Sequence, residues 1–439
     1  MSTPFGSNDT RRGFVRATAV AMSAAGARAV ETLAVDGGPK AVRLPAERIA
    51  QITRWPRYSE EEKRCVAELL DNNRFYQEIP LLEEEMKRAL PAPFVKAHCN
   101  GTGGLLSAFF ALDLPRGSEI LAPSYTAWAT TAPLHLFGYV PRFVDIHPRT
   151  MTFDLDDARK RLTAQTRAIV VMHSAGNPCD MDHICAFAKE KGLIVVEDAC
   201  QAQGASLQGR QMGTWGSIGV FSFQSSKILP AIEGGAGIYQ TREYYERATT
   251  FGNYELPSSF PAESPYRKYA GTGMGPKLRI HPLAAAIARR QLPKLEAHNA
   301  LVDAQVRRLT DRLVQLPGIS RPHCRADAKR VYWGSHVLFL DEAKAGCPKE
   351  TLLKALRAEG VQISPGAYDE QHRYRLYAEA KWWHHPVAIP EDLHGTTEVN
   401  KTAVKLPLFR EEAAELIEQY AQAFEKVWAR RAGIKRGGG

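Results

Sequence analysis

One lysine and one aspartate each follow a strand-like apolar run, at positions where they could act together. Lys227 ends the segment 221–227 (FSFQSSK) and precedes the glycine-rich 233–237 (EGGAG), while Asp198 directly follows 193–197 (LIVVE). A lysine amine can form a Schiff base with an aldehyde, and a carboxylate can keep a pyridinium nitrogen protonated. The two residues therefore predict a site for pyridoxal 5'-phosphate chemistry.

A glycine-rich turn could hold the phosphate of such a cofactor. Segment 100–106 (NGTGGLL) contains Gly101 and Gly103 and opens a predicted helix that runs to Ala111. A turn of this kind exposes backbone N–H groups to an anion at the helix start. Its spacing matches neither a P-loop nor the dinucleotide motif GxGxxG. The order of the three features along the chain, first turn, then acid, then lysine, is what supports the assignment.

Apolar runs alternate with amphipathic stretches from about residue 95 onward. Helical periodicity is found at 154–162 and 182–191, between five candidate strands at 119–122, 141–146, 168–173, 193–197 and 219–223. Helices between strands favour parallel pairing, and ligands bind beyond the carboxyl ends of parallel strands. The pattern predicts an α/β fold with a mostly parallel sheet, and it places Asp198 and Lys227 at one edge of that sheet.

Length and composition limit the possible functions. A chain of 439 residues is longer than a single hydrophobic core usually supports, so a large and a small domain are expected. The net charge of +9 could attract nucleic acid, acidic lipid or a phosphorylated substrate. The basic residues are spread thinly and match no nucleic-acid motif, which favours the substrate and argues against nucleic acid. No apolar run after the first thirty residues is long enough for membrane insertion.

The seven cysteines are scattered without the spacing of a disulfide framework or a zinc site, and we expect no metal. Cys200, beside the proposed acid, is interpreted as a small packing residue. Arg11 and Arg12 precede a mildly apolar stretch at 17–27, which resembles a twin-arginine export signal. The alternative is a basic arm ahead of the fold. We expect a cytoplasmic protein, with export left open.

Several motifs in order resemble those of the DegT/DnrJ/StrS sugar aminotransferases. These motifs are 100–102 (NGT), 122–126 (APSYT), 197–205 (EDACQAQGA) and 221–227 with 233–235, and the segments with the aspartate and the lysine are the strongest. The likeness covers nearly the whole chain after residue 33, and further matching segments are 33–38, 81–85, 275–286, 291–292 and 406–409.

This resemblance implies a fold-type I pyridoxal phosphate-dependent transferase that works as a homodimer, with the active site at the subunit interface. It implies an N-terminal arm or leader at 1–33, a large cofactor-binding domain with its lead-in at 34–294, and a smaller C-terminal α/β domain at 295–439.

The resemblance also implies roles for individual residues. Lys227 would carry the Schiff base and move the proton, Asp198 would pair with the ring nitrogen, and Gln201 would lie near the ring hydroxyl. The phosphate would be held by Gly101, Thr102, Gly103 and Ser222, and Asn253 would reach the partner's phosphate. Ordinary structural roles remain alternatives: a helix cap for Asp198, a satisfied buried amide for Gln201, a local hydrogen bond for Ser222 and a turn for Asn253.

The chain departs from the family pattern at the residue expected to stack on the ring. Ala127 stands where relatives carry an aromatic residue, and Trp128 follows it. Either Trp128 covers the ring, or another side chain does, or Trp128 is a core aromatic. Residues 230–232 also differ from the small or hydroxyl residues usual there, which would reshape the sugar pocket.

The expected reaction has two halves. Glutamate or glutamine gives its amino group to the cofactor, which passes it to a keto-sugar, expected to be nucleotide-linked, or to a keto-cyclitol. Dehydratases of the family replace the lysine with histidine, so Lys227 argues against that branch. The competing hypothesis is a non-catalytic ligand-binding or sensor protein that keeps the fold.

Overall fold

A computed structural model describes residues 31–434 of the chain. The predicted leader with Arg11 and Arg12 lies outside these residues. The described part has the predicted α/β fold, in which a large, mostly parallel sheet is flanked by helices and a smaller sheet lies in the C-terminal part.

Fourteen strands fall within residues 31–434: β1 (Phe94–His98), β2 (Glu119–Pro123), β3 (Val140–Val144), β4 (Thr166–Met172), β5 (Ile194–Asp198), β6 (Ser206–Leu207), β7 (Arg210–Gln211), β8 (Ile218–Ser222), β9 (Gly235–Tyr239), β10 (Ile319–Ser320), β11 (Ala328–Lys329), β12 (His336–Leu340), β13 (Ser364–Pro365) and β14 (Ala403–Leu406).

The same residues form fourteen α-helices: α1 (Ala46–Thr53), α2 (Glu60–Asn72), α3 (Glu78–Ala89), α4 (Gly101–Leu112), α5 (Leu155–Arg161), α6 (Met181–Lys191), α7 (Arg242–Gly252), α8 (Pro282–Gln291), α9 (Leu295–Leu313), α10 (Glu342–Ala345), α11 (Lys349–Ala358), α12 (Arg375–Ala378), α13 (His394–Thr402) and α14 (Ala414–Arg430).

The large sheet has seven strands in the order β1-β9-β8-β5-β4-β2-β3. The pairs among β3, β2, β4, β5 and β8 are parallel, and β9 pairs antiparallel with both β8 and β1. Its central strands are continuous apolar runs because helices cover both faces. Side chains of α4 and α7 pack on one face, and those of α5 and α6 pack on the other.

The smaller sheet is antiparallel, in the order β10-β12-β14-β13. Its core joins side chains of α9, α11 and α14 with residues from the start of the described chain, including Val42, Ile49 and Ile52. The predicted lead-in to the large domain therefore packs against the smaller sheet. The domain limits at 294 and 295 stay a prediction.

A strap of residues 328–333 leaves the C-terminal part and returns to the large sheet. Its strand β11 pairs with β6, and Val331 and Trp333 pack among side chains of the large sheet and α6. The strap carries Trp333 toward the edge where β5 and β8 end.

Glu197 of β5 anchors the turn before β8. Its side chain is fully buried, and its oxygens accept the amides of Gly213 at 2.8 Å and of Trp215 and Gly216 at 2.6 Å each. One of these oxygens also lies 3.0 Å from Nε2 of His173. Successive strand residues face opposite sides, so Glu197 serves the scaffold while Asp198 faces the candidate site.

We expect Glu197→Gln to lower the free energy of unfolding by about 3–5 kcal/mol, because the amide cannot replace a buried anion that accepts from several donors. Urea unfolding followed by circular dichroism measures the loss. Glu190→Gln, on the exposed end of α6, is the matched control and should leave the unfolding midpoint unchanged. Equal unfolding midpoints for the two variants would contradict the anchoring role.

Candidate active site

The ends of β5 and β8 and the start of α4 meet at one edge of the large sheet. β5 ends at Asp198 and β8 ends at Ser222. A Cβ atom added to Gly101, the first residue of α4, would lie 2.8 Å from Cβ of Ser222 and 3.0 Å from Sγ of Cys200. The glycine turn, the loop after the acid and the strand before the lysine are therefore in direct contact.

The start of α4 offers two free backbone donors. The side chain of Asn100 accepts the amide of Gly103 at 2.8 Å, and its carbonyl accepts that of Gly104 at 3.1 Å. Within the described chain the amides of Gly101 and Thr102 have no hydrogen-bond partner. Unpaired N–H groups at a helix start suit a phosphate, so this turn fits the cofactor. The amide of Gly103 is already bound by Asn100, and a contact of Gly103 with the phosphate stays a prediction.

Asp198 is fixed by two donors. Its carboxylate is buried and accepts the Thr130 hydroxyl at 2.7 Å through Oδ2 and the Cys200 amide at 3.1 Å through Oδ1. A carboxylate that is held in this way keeps one orientation, as an acceptor for a protonated ring nitrogen must. Burial, followed by the nearby charge of Asp198, raises the pKa of the Cys200 thiol well above its usual value. A neutral thiol agrees with the interpretation of Cys200 as a packing residue.

We expect Thr130→Val to lower kcat about tenfold, because it removes a hydrogen bond to a charged group worth about 1.5–3 kcal/mol. The pH midpoint of the bound cofactor's visible absorption band should shift as well. Thr131→Val is the matched control, since the Thr131 hydroxyl is equally buried but contacts the Tyr377 hydroxyl at 2.7 Å instead. A change of the same size in both variants would show a packing effect rather than an effect through Asp198.

Lys227 lies after β8 with its backbone held in place. Its amide donates to the Gln224 carbonyl at 2.8 Å, and its carbonyl accepts the Trp55 indole N–H at 3.0 Å. The side chain is half-buried, and Nζ lies 4.1 Å from the ring centroid of Trp333. The strap thus brings an aromatic face against the amine.

Gln201 and Ser222 are buried at the same edge. The side-chain oxygen of Gln201 accepts the amide of Ala175 at 2.8 Å, and the carbonyl of Ser222 accepts the side-chain amide of Gln203 at 2.6 Å. Ala175 has a φ of 50°, a left-handed conformation that is strained for alanine. Gln201 therefore holds a strained turn beside the site, and its predicted role near the ring hydroxyl stays a prediction.

Among the residues that the structure describes, no hydrogen bond, ion pair or ring contact joins Trp128 or Asn253 to Asp198 or Lys227. Trp128 is 59% exposed and lies on the same short 3-10 helix as Thr130, and stacking on the ring stays a prediction for it. Asn253 lines a separate cavity of about 610 Å³ together with Lys96 and Arg279. Its Nδ2 atom is buried without a hydrogen-bond partner in the described chain. A residue that reaches the partner subunit's phosphate would lie away from the cofactor site of its own subunit, and this role of Asn253 stays a prediction.

A cavity of about 700 Å³ adjoins Gln201, and its lining includes Tyr125, Trp333, Tyr368 and Lys405. Tyr125 belongs to the motif at 122–126, whereas Trp333 and Lys405 come from the C-terminal part and were missed because no local motif marks them. Side chains of the substrate pocket are expected from two segments of the small domain, 365–375 and 382–385, and Tyr368 lies within the first of them.

The other expected segment, 382–385, does not line this cavity. Trp383 instead is 6% exposed and stacks on Tyr377 with ring centroids 5.3 Å apart.

Within residues 31–434, no group of three or more histidine, cysteine or acidic side chains is arranged to hold a metal ion, and the cysteines form no disulfide. The same residues contain no helix with the length and apolar character needed to cross a membrane.

Comparison with known proteins agrees with this geometry. The DegT/DnrJ/EryC1/StrS aminotransferase family model matches residues 56–425. L-glutamine:2-deoxy-scyllo-inosose aminotransferase of Streptoalloteichus tenebrarius is 31% identical over 339 residues, which cover 74% of this chain and 80% of that protein. GDP-perosamine synthase of Escherichia coli O157:H7 is 28% identical over 345 residues, which cover 77% of this chain and 89% of that protein.

Solved structures share the fold. An aminotransferase from Psychrobacter cryohalolentis superposes with a TM-score of 0.77 at 24% identity, over 87% of this chain and 99% of that chain. The family match, together with Lys227, Asp198 and the two free amides of the turn at 100–106, establishes the class of enzyme. The chain belongs to the DegT/DnrJ/EryC1/StrS aminotransferase family and is a pyridoxal phosphate-dependent transaminase.

Proposed function

We propose that the protein transfers an amino group from glutamate or glutamine to a keto-sugar or a keto-cyclitol. The observation that carries the proposal is the contact between the Lys227 amine and Trp333, because Trp333 also lines the cavity of about 700 Å³. The reactive amine thus lies beside a space large enough for a sugar ring. Two relatives, the 2-deoxy-scyllo-inosose aminotransferase and the GDP-perosamine synthase, support this class of acceptor.

The lining of this cavity suits a hydroxylated and negatively charged substrate. Among residues 31–434, those that line it include the cations Arg357 and Lys405 and no aspartate or glutamate. The indole N–H of Trp333 is buried without an acceptor in the described chain, so a substrate hydroxyl or carbonyl could satisfy it. The cations would attract the carboxylates of the amino donor or a phosphate-linked handle on the acceptor.

The residues at the sheet edge divide the chemical work. Pyridoxal phosphate, when bound, supplies an aldehyde that carries the amino group and a ring that accepts electrons. Lys227 would attach the cofactor through Nζ and, once displaced by the incoming amine, move a proton at that atom. Asp198 would hold the proton on the ring nitrogen, with Thr130 fixing the carboxylate. The amides of Gly101 and Thr102 would bind the phosphate, with the Ser222 hydroxyl beside them.

We propose a homodimer as the working unit. The unpartnered Nδ2 of Asn253 and the exposed apolar side chains of Tyr76, Trp128, Leu136 and Ile232 support an interface with a second copy. Sedimentation at micromolar concentration tests the proposal, and a monomer would contradict it.

The reaction is tested by the visible absorption band of the bound cofactor. Glutamine and glutamate are added separately to the cofactor-loaded protein without an acceptor, and a donor should abolish the visible band. Keto-cyclitols and nucleotide-linked keto-sugars are then added to the aminated protein, and the correct acceptor should restore the band. A band that persists with every donor would instead support the non-catalytic sensor.

A further inference from the structure

A second cleft, of about 900 Å³, lies between α9, the loop after β10 and strand β12. Its lining includes none of Lys227, Asp198 or Gln201. It is therefore distinct from the cofactor site, although Val337 lines both this cleft and the proposed substrate cavity.

The cleft is rich in positive charge. Three carboxylates line it, against six cationic side chains: Arg149, Arg307, Arg321, Arg325, Arg330 and Lys344. Four of these cations already pair with acids. Arg307 pairs with Asp303 at 2.8 Å, Arg321 with Asp311 at 2.9 Å, Arg325 with Asp182 at 2.7 Å and Lys344 with Asp341 at 3.2 Å.

Arg330 is the exception inside the cleft. Its Nε and Nη2 atoms are buried and have no hydrogen-bond partner in the described chain, and its guanidinium lies over the Tyr332 ring at 4.8 Å. Burial lowers the pKa of this group. A buried cation without a counter-charge is costly, so an external anion would stabilise it. Arg149, exposed at the rim, also forms no ion pair with the described residues.

One acid could compete for Arg330. Asp303 attracts it electrostatically, and the Oδ1 atom of Asp303 is itself buried without a partner. Its other oxygen already accepts from Arg307, and no ion pair forms between Asp303 and Arg330 within 4.0 Å. The acid therefore leaves the two guanidinium donors of Arg330 unsatisfied.

We infer that this cleft binds a small molecule that carries two phosphate groups. A guanidinium matches phosphate geometry through paired N–H donors. The two cations without an acidic partner, Arg330 in the interior and Arg149 at the rim, would each take one phosphate. Tyr332 and His323 line the same space and could contact the organic part of the ligand.

The test is calorimetric titration of the cofactor-loaded protein with inorganic pyrophosphate. We expect one site per chain. Arg330→Met should weaken binding about tenfold or more, since it removes charge-assisted hydrogen bonds. Arg149→Gln should weaken binding severalfold, and its exposed position leaves folding unaffected. Arg64→Gln removes the same charge from the exposed face of α2 and should leave the affinity unchanged.

Other outcomes would overturn the inference. Affinity that is unchanged in both Arg149→Gln and a folded Arg330→Met would show that Arg330 is satisfied by Asp303 alone. Equal weakening by Arg64→Gln would show attraction by net charge only. Binding confined to cofactor-free protein would place the anion at the start of α4. If Arg330→Met fails to fold, Arg149→Gln decides, and an unchanged affinity there counts against the site.

Discussion

Lys227→Ala is expected to fold, to bind pyridoxal phosphate without a covalent bond and to lose turnover by about 10²–10⁴-fold, the range of a positioned acid–base group. The variant loses both the attachment point and the group that moves the proton. Its fold should survive, because the half-buried side chain contributes mainly a cation–π contact with Trp333, worth about 0.5–2 kcal/mol.

Two measurements check this expectation. Amino transfer from glutamine gives the turnover, and borohydride reduction followed by peptide mass spectrometry should find the cofactor on the 221–227 peptide of the natural protein only. Lys189→Ala, on the exposed end of α6, is the matched control and should retain both properties. Normal turnover in Lys227→Ala would remove the central assignment.

Asp198→Asn is expected to lower kcat about 10²–10⁴-fold while the protein stays folded. The amide has nearly the same shape, and the Cys200 amide can still donate to its oxygen, but it carries no charge to hold a proton on the ring nitrogen. Losing one member of a buried charge pair costs about 3–5 kcal/mol, and each 1.36 kcal/mol is a factor of ten.

The comparison with Glu197→Gln makes this result specific. Both substitutions neutralise a buried carboxylate on β5, but Glu197 binds backbone amides of the scaffold, whereas Asp198 faces the site. Single-turnover amination by glutamine should be slowed in Asp198→Asn, and urea unfolding should change mainly in Glu197→Gln. A large loss of stability with unchanged turnover in Asp198→Asn would assign Asp198 the structural role of a cap.

The sequence predicted the parallel strands well because each is largely apolar and is bounded by polar or helical segments. The five candidate strands match β2, β3, β4, β5 and β8 to within about two residues, and the helix predicted from the glycine turn is α4 (Gly101–Leu112). Strand β9, which lies between β8 and β1, was missed because its glycines hide the strand pattern. Gly235 is required there, since a Cβ atom would lie 2.6 Å from the carbonyl carbon of Asn100.

The candidate site was predictable only where local motifs carry it. Lys227, Asp198 and the turn at 100–106 belong to such motifs. Thr130 lies close to a motif, yet its bond to Asp198 depends on how the chain turns after β2. Trp333 and Tyr368 lie more than a hundred residues from Lys227, and only tertiary packing brings the C-terminal part to the sheet edge.

Because the strap at 328–333 links the C-terminal part to the large sheet, the chain cannot be cut into two fragments without damage to the site. A fragment that ends at residue 294 would retain Lys227, Asp198 and the turn at 100–106. It would lack Trp333, whose indole ring lies beside the lysine amine. Its first helix, α1, would also lose the residues against which it packs, because Ile49 and Ile52 lie in the C-terminal core. Recombinant work on cofactor capture therefore requires the two halves in one polypeptide or co-expressed together.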